Sequence, residues 1–400
     1  MKTKIFRIYL YNALINFSIV SIIQNLYFSY VGFDFTQIGI LLAILHFGKM
    51  FFEIPTGYIA DRFGNKASVI VSLILQIMAY AIMSCFTNFI CMVLVLIILS
   101  ISYTMTTGCV DAIIVNTISR EGATTELVKV NAINRIIHYI SYGLAGVFAG
   151  FIAEKSYFWV FWVNIAFLVA CIVVLLHISD ESIHEKHGED QDYKVITVLK
   201  YIVSNKYIFY FTLIESSVAW AMIPVDSFYS NYLSITFNMP VSQVGIIVGI
   251  QFVLISFVGL YSKKISLKLK SSWLLRYGPI AMIVAFLLFS ISNISLVSVL
   301  LYMIGLGIFC LYSPIQYKAM HENINPIYRV TVISVKSFIC AGLSMISQPI
   351  MGYISDVFGM QKGMQILIFI SLIFLIFLNI IFRRLNFADR QSHKPEIVSR

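Results

Sequence analysis

The chain has 400 residues, of which 59% are hydrophobic and only 12% are charged, and its mean hydropathy is +0.87. Because a water-soluble domain carries about 25% charged residues, this composition excludes a soluble enzyme or binding domain and indicates an integral membrane protein. The net charge of +9 indicates contact between juxtamembrane segments and anionic lipid, and does not favour nucleic-acid binding.

Apolar runs of about 20 residues, each long enough to cross about 30 Å of hydrocarbon as a helix, recur along the chain. Strands of a β-barrel would be shorter and would alternate in polarity. The pattern predicts an all-α integral membrane protein with twelve transmembrane helices, here called spans 1 to 12. Their predicted ranges are 6–30, 37–59, 67–85, 89–116, 129–153, 157–177, 206–233, 242–261, 273–291, 295–317, 329–355 and 363–382.

A polar segment of mixed charge, residues 178–205, separates the first six spans from the last six. Such a segment is typical of a linker between two helix bundles. The sequence therefore predicts two six-helix bundles. Their ranges are 1–177 for the N-terminal bundle, 178–205 for the linker, 206–382 for the C-terminal bundle and 383–400 for a tail.

Lysine and arginine are unevenly distributed between the loops. With the amino terminus inside the cell, the outer loops carry only Lys155 and Lys362, whereas "SKKISLKLKSSWLLR" lies inside, between spans 8 and 9. The positive-inside rule then predicts that both termini, the linker and the tail are cytoplasmic. The first span lacks a small-residue cleavage site, so we expect it to remain as an uncleaved helix.

The sequence gives no sign of enzymatic chemistry. Its six cysteines lie in or beside spans without a CxxC pair, so we expect neither disulfides nor a metal site. It has no phosphate-binding glycine loop, no GxSxG and no HExxH. We therefore expect no enzyme activity and no cofactor.

The corner after span 2, "GYIADRFGNK", has the residues of a breakable latch. Gly57 lets a neighbouring helix approach closely, and Asp61 can accept hydrogen bonds from the first amides of such a helix. Gly64 permits a tight turn. Arg62 and Lys66 are placed to meet anionic lipid or a carboxylate. We predict that these residues together latch the inner mouth of the protein.

This spacing, G-x-x-x-D-R-x-G-x-K after a second helix, resembles the cytoplasmic signature of the major facilitator superfamily of transporters. Twelve spans divided six and six agree with that family along nearly the whole chain. "FEIPTGYIADRFGNK", "TTGCVDAIIVNT" and "YRVTVIS" resemble one branch of bacterial permeases, many of them drug exporters. Asn116 stands where that branch has a carboxylate, and Thr104 takes the place of a basic residue found in many drug–proton antiporters.

Segments similar to the start of this corner occur at the ends of spans 5, 8 and 11. In the fold of that family, spans 2, 5, 8 and 11 are equivalent positions. The four segments are "GYIAD" (57–61), "GFIAE" (150–154), "GLYSK" (259–263) and "GYISD" (352–356). Three of them end in an acid, which indicates an internal structural repeat. The copies on spans 5 and 11 are predicted to lie at the outer face.

Several ionisable residues lie inside spans, where each needs a partner. On span 2, Glu53 can pair with Lys49 one turn away. On spans 4 and 5, Asp111 and Arg135 are predicted at similar depth and to pair with each other. Either pair could be static, or could exchange partners and gate the inner mouth.

Span 7 carries Glu215 and Asp226, eleven residues or about three turns apart. A carboxylate without a fixed cation could exchange a proton for a cationic substrate, and Glu215 is the preferred candidate for this role. Asp226 lies nearer the outer end, where it could simply be solvated. Lys336 on span 11 could bind an anion or extend to the cytoplasmic interface.

In the family that this chain resembles, spans 1, 4, 7 and 10 line a central cavity. The candidate lining residues on spans 1, 7 and 10 are amides and aromatics, a lining that suits an amphipathic organic molecule. These candidates are Asn12, Asn16, Gln24, Trp220, Tyr302, Tyr312 and Gln316.

The leading functional prediction is a secondary active transporter that exports an amphipathic small molecule in exchange for protons or another ion, by alternating access. The alternative is an ion-coupled or facilitative importer of a nutrient or metabolite. A membrane-embedded sensor that transports nothing is a third possibility. We expect a monomer in the bacterial plasma membrane.

Overall fold

The computed structural model describes residues 2–120, 127–178, 195–266, 271–325 and 328–383. The regular structure in these ranges consists of fifteen helices, without a strand. They are α1 (Lys2–Asn16), α2 (Ile19–Val31), α3 (Phe35–Phe63), α4 (Asn65–Cys85), α5 (Phe89–Thr106), α6 (Cys109–Arg120), α7 (Leu127–Lys155), α8 (Tyr157–Leu176), α9 (Val195–Ser204), α10 (Lys206–Thr236), α11 (Val241–Ser266), α12 (Ser271–Ile291), α13 (Ser295–Asn323), α14 (Arg329–Phe358) and α15 (Met360–Ile381).

Twelve segments of the described chain are long and apolar enough to cross a membrane. Span 1 consists of α1 and α2, span 4 consists of α5 and α6, and each of the other spans is a single helix. The prediction of an all-α membrane protein with twelve spans is therefore confirmed. The last part of the predicted linker forms the short helix α9.

Spans 1 and 4 are interrupted, where the sequence predicts continuous helices. Span 1 breaks before Ile19, whose backbone N–H donates to Oδ1 of the buried Asn164 on α8 at 2.9 Å. This side chain satisfies an amide that the break leaves without a helical partner. Span 4 breaks at Gly108, where φ is +80°, a conformation that glycine adopts without steric cost.

The described residues group into two compact units. Unit 1 takes its residues from 1–192, 222–256 and 338–364, and unit 2 from 193–221, 257–337 and 365–400. This division passes through spans 7, 8, 11 and 12 and does not follow the predicted linker. The bundle boundaries therefore stay a prediction.

Spans 2 and 11 cross within unit 1 at a distance that only glycine permits. A Cβ on Gly352 of α14 would meet the backbone oxygen of Phe35 on α3. A Cβ on Gly39 of α3 would likewise meet the backbone oxygen of Gln348 on α14. Since a missing Cβ lets helix backbones touch, these two glycines set the separation of the spans.

Spans 5 and 8 make a second close crossing in unit 1, built from glycines on both helices. A Cβ on Gly146 would lie 3.1 Å from the backbone oxygen of Gly245, and one on Gly150 would lie 2.7 Å from that of Val241. Thus the two crossings join the spans whose ends carry the repeated glycine motif.

We expect Gly352→Ala to lower the apparent melting temperature of the detergent-solubilised protein, because its Cβ meets backbone that cannot move aside; overpacking of this kind costs about 1–3 kcal/mol. Gly342 on the same helix is the matched control, since nothing lies within 4 Å of a Cβ there. Gly342→Ala should be neutral or stabilising by up to about 1 kcal/mol. Equal effects of the two substitutions would contradict the crossing.

Candidate functional site

A cavity of about 370 Å³ lies in unit 1. This volume is at the lower end of the range for small-molecule pockets. Six spans contribute to its wall: 1, 2, 4, 5, 7 and 8. The wall consists of Ser21, Ile22, Gln24, Asn25, Leu42, Leu45, His46, Lys49, Tyr103, Tyr142, Asp226, Ser227, Tyr229, Ser230, Val248, Gln251 and Phe252.

Both signs of charge line this cavity, through Lys49 on α3 and Asp226 on α10. Lys49 Nζ lies 4.7 Å from the centroid of the Tyr103 ring, a cation–π contact. The predicted pair between Lys49 and Glu53 is wrong for these described residues: they lie outside ion-pair distance, and Glu53 is on the exposed surface of α3. A charged wall is consistent with the rule that intramembrane charges face a cavity or another protein group.

Two buried amide oxygens in the wall accept no hydrogen bond from any residue that the structure describes. They are Oδ1 of Asn25 and Oε1 of Gln251, and Gln251 is only 3% exposed. Asn25 uses its Nδ2 to donate to the backbone oxygen of Ser227 at 2.6 Å. Leaving a buried acceptor unpaired costs free energy, and both oxygens have almost no accessible surface in this conformation.

One end of the cavity is closed by polar contacts between spans 1, 7 and 11. Asn231 Nδ2 donates to the backbone oxygen of Asn25 at 3.0 Å and to Ser29 Oγ at 2.7 Å. Gln348 Nε2 donates to Ser227 Oγ at 2.9 Å. We call this the closed end; it lies toward the start of α3.

Asp356, the acid of "GYISD", caps the start of α3 at the closed end. Its carboxylate accepts hydrogen bonds from Phe35 N at 2.9 Å and Thr36 N at 2.8 Å, and from Thr36 Oγ1 at 2.5 Å. The next amide, that of Gln37, donates to the Asp34 side chain at 2.7 Å. The first amides of span 2 are thus satisfied, two of them by a carboxylate on span 11.

The residues of the predicted latch lie at the other end of span 2. Asp61 and Arg62 are exposed, and nothing lies within 4 Å of a Cβ on Gly57. Within the described chain, no helix packs against this glycine in the conformation seen here. The latch itself stays a prediction.

The turn after the latch is formed by Gly64 and held to the end of span 6 by Lys66. Gly64 separates α3 from α4 with φ of +91°, in the region that favours glycine. Lys66 Nζ donates to the backbone oxygens of Leu176 at 3.1 Å and Ile178 at 2.6 Å, at the end of α8. A lysine that binds the last carbonyls of a helix also complements its dipole, a role not predicted from the sequence.

The predicted pair between Asp111 and Arg135 is not formed. Both residues belong to the described chain and are exposed, and they lie outside ion-pair distance. The break at Gly108 places Asp111 in the first turn of a new helix, α6. The depth of Asp111 in the membrane was inferred from a continuous span 4. The break therefore removes the basis on which Asp111 was expected to lie beside Arg135.

Glu215 in unit 2 has a fixed cation, contrary to the premise on which its proton-exchange role was predicted. Lys336 Nζ lies 2.8 Å from Glu215 Oε2, and Gln316 Nε2 donates to the same oxygen at 2.9 Å. Lys336 therefore neither extends to the interface nor faces an unoccupied anion site. The three side chains form one satisfied polar cluster joining spans 7, 10 and 11.

Among the other predicted cavity residues, Gln24 lies in the wall of the unit 1 cavity. Asn12 and Asn16 instead join span 1 to span 5. Asn12 Nδ2 donates to the backbone oxygen of Asn134 at 2.8 Å, and Asn16 Oδ1 lies 2.6 Å from His138 Nδ1. These contacts join span 1 to span 5, and the place of the two asparagines in a substrate cavity stays a prediction.

The predicted aromatic lining residues belong to unit 2, and two of them are buried. Tyr302 is fully buried, with its ring 5.4 Å from that of Phe286 and 5.2 Å from that of Phe289, so it is a core residue. Tyr312 is 4% exposed. Trp220 is half-buried, and its Nε1 has no hydrogen-bond partner among the described residues.

The sequence analysis did not single out Tyr103 or Gln251, and it considered Lys49 only as a partner of Glu53. In the sequence, His46, Lys49 and Glu53 lie three and four residues apart and so share one face of span 2. A tyrosine or glutamine in a chain so rich in aromatics carries no such signal by itself.

We expect Glu215→Gln to destabilise the protein by about 1–3 kcal/mol, because it leaves Lys336 without its charge partner. The cost is below that of a fully buried pair, since the Glu215 side chain is 32% exposed. Glu215→Gln should therefore lower the melting temperature of the purified protein, and adding Lys336→Met should recover most of that decrease. Lys318 and Glu322 form an exposed control pair, whose neutralisation should change little. Additive losses in the double variant would contradict the pairing.

Three comparisons place this arrangement among known proteins. The family model for the Major Facilitator Superfamily matches residues 5–345. The uncharacterized MFS-type transporter YxaM of Bacillus subtilis (strain 168) is 24% identical over 356 residues, which are 86% of each chain.

Solved structures share the fold at low identity. A mutant of the nucleoside transporter NupG matches with a TM-score of 0.79 and 16% identity, over 95% of this chain and 100% of that chain. An inward-facing bacterial homolog of the human lysosomal transporter Spinster matches at 0.72 and 14%, over 94% and 95%. A D-xylose-proton symporter matches at 0.71 and 13%, over 94% and 96%.

Proposed function

The chain belongs to the Major Facilitator Superfamily, a family of membrane transporters rather than enzymes, and from this premise we propose that it exports an amphipathic small molecule in exchange for protons. Members of this family carry small-molecule substrates, often with proton coupling. The observation that carries the proposal is the cavity in unit 1, which combines aromatic rings, amides and both signs of charge. Such a wall binds a molecule with a ring and a few polar groups.

The closed end supports transport by alternating access. Its contacts include a few hydrogen bonds, the ring contact of Phe35 with Phe228 and the glycine crossing of spans 2 and 11, which can separate without unfolding a helix. The exposed latch residues at the opposite end of span 2 suit a state in which that end is open. Combined with the orientation expected from Lys and Arg, the closed end faces the outside and both termini face the cytoplasm of a bacterial plasma membrane.

Asp226 is the carboxylate that we assign to proton exchange. It lies in the cavity wall, where a proton and a substrate could reach it in turn. Glu215, the residue favoured from the sequence, is held by Lys336 and Gln316. We propose that the Glu215 cluster instead fixes the packing of spans 7, 10 and 11.

Import of a nutrient is the second candidate. It is favoured by the structural likeness to proteins named as a nucleoside transporter and a D-xylose-proton symporter. The polar side of the cavity, with Gln24, Asn25 and Gln251 in its wall, is compatible with either direction.

Reconstitution in liposomes tests the proton step. With ΔpH and membrane potential imposed separately, a panel of dyes and metabolites should reveal substrates that move only under ΔpH. Asp226→Asn should abolish ΔpH-driven accumulation yet retain exchange at saturating substrate, because the amide keeps the shape but cannot carry the proton. Glu322→Gln, an exposed carboxylate on α13, is the control. Full ΔpH coupling in the Asp226 variant would exclude this residue.

The gating proposal predicts opposite behaviour at the two ends of span 2. A cysteine at Ser230, in a background without the six native cysteines, reports access from outside in intact cells. Asp356→Ala should speed its labelling by an impermeant reagent about tenfold, because losing a helix-capping carboxylate costs about 1–2 kcal/mol. Asp61→Asn should leave the labelling rate unchanged or lower, and it should strongly reduce the rate of transport.

The exposed Glu154, the matching acid on span 5, is the control for the labelling experiment. Glu154→Ala should label at the wild-type rate. Unchanged labelling in Asp356→Ala would contradict the proposed outer gate. Wild-type transport in Asp61→Asn would contradict the proposed inner latch.

A further inference from the structure

We infer that the cavity in unit 1 binds an organic anion, a small molecule whose single carboxylate lies at Lys49 and whose body is aromatic or apolar. This inference rests on the proposed function, since it takes that cavity as the transport site. It narrows the substrate from any amphipathic molecule to one with one negative charge.

Lys49 is a cation inside the membrane without a counter-charge in the described chain. Its Nζ lies outside ion-pair distance of every carboxylate that the structure describes, and it contacts the face of the Tyr103 ring, 4.7 Å from the centroid. Lys336 in unit 2, by contrast, lies 2.8 Å from Glu215. Because an intramembrane charge needs a partner and a ring face replaces only part of the lost hydration, Lys49 is suited to an anion that arrives with the ligand.

A ligand in the cavity can reach this nitrogen. Lys49 is half-buried and lines the cavity. Its Nζ keeps accessible surface, unlike the amide oxygens of Asn25 and Gln251, which are covered by the protein. Asp226 in the same wall interacts with other groups of the protein and does not pair with Lys49.

His46 supplies a second donor on the same face of span 2. It lies three residues before Lys49, is half-buried in the cavity wall, and makes no hydrogen bond with a described residue. A neutral imidazole carries one N–H, so the ammonium and the imidazole together can bind the two oxygens of one carboxylate. Since a lysine is a single point charge, a second negative charge on the ligand would stay uncompensated.

The rest of the wall suits an aromatic or apolar body. The rings of Tyr142 and Phe252 meet at 4.5 Å between centroids, tilted by 64°. A ligand ring fits beside such surfaces by offset or edge contact. The cavity volume of about 370 Å³ limits the ligand to a small molecule.

Three indoles with the same ring test the inference. Indole-3-propionate carries the carboxylate, indole-3-propionamide is its neutral isostere, and tryptamine carries an ammonium. Titration calorimetry on the purified full-length protein at neutral pH should give the carboxylate at least about tenfold tighter binding than the amide, the factor expected from one charge-assisted hydrogen bond. Tryptamine should bind no more tightly than the amide. Equal or tighter binding of the amide or of tryptamine, or no binding of any of the three, would overturn the inference.

Variants assign the anion to its residue. Lys49→Met should bind the carboxylate no more tightly than the amide, whereas Lys49→Arg should keep the preference because it keeps the charge. Lys318→Met, which removes an exposed lysine on α13, should bind all three indoles as the wild type does. A preference that persists in Lys49→Met would contradict the assignment. Loss of the preference in both Lys49 variants would mean that the shape of the side chain matters rather than its charge, and would also contradict it.

The outcome separates this inference from the transport proposal. A carboxylate preference without movement of any substrate in liposomes would leave an anion site in a protein that does not transport its ligand. Proton-driven transport of neutral or cationic molecules, unaffected by Lys49→Met, would retain the transporter and reject the anion site.

Discussion

A peptide group in hydrocarbon has no water to bond, so each must find its partner within the protein. The first amides of a helix also lack a partner within that helix, and at the start of span 2 the amides of Phe35 and Thr36 donate to Asp356 on span 11. Because the cap comes from another span, capping the helix and joining the two spans are one interaction. Gly352, about one turn earlier on α14, lets the backbones approach closely enough for it to form.

The same constraint bears on the gate that we propose at the closed end. The hydrogen bonds of Asn231 and Gln348 join short polar side chains across spans, beside the ring contact of Phe35 with Phe228. Separating them exposes amides and carbonyls that water in an open cavity can satisfy at once. A gate made of polar contacts between rigid helices can therefore open without disturbing the helices themselves.

Two polar clusters within the spans differ in how far they are satisfied. In unit 2, Glu215 is bonded to both Lys336 and Gln316. In unit 1, the cavity wall holds Lys49 against a ring and keeps the oxygens of Asn25 and Gln251 without donors among the described residues. Satisfied groups fix a structure, whereas buried groups without a partner leave a free-energy cost in it.

The amino-acid sequence by itself determined the membrane class, the twelve spans, the turn at Gly64 and the repetition of the glycine–acid motif. These features depend on composition, on the thickness of the bilayer and on local backbone freedom, all of which act within a short stretch of chain. Only the tertiary structure decided that Asp356 caps span 2, that Glu215 meets Lys336, and that Lys49 faces Tyr103. The periodicity of one helix shows which residues share a face but not which helix that face meets, so pairs between distant spans depend on how the helices are arranged and rotated.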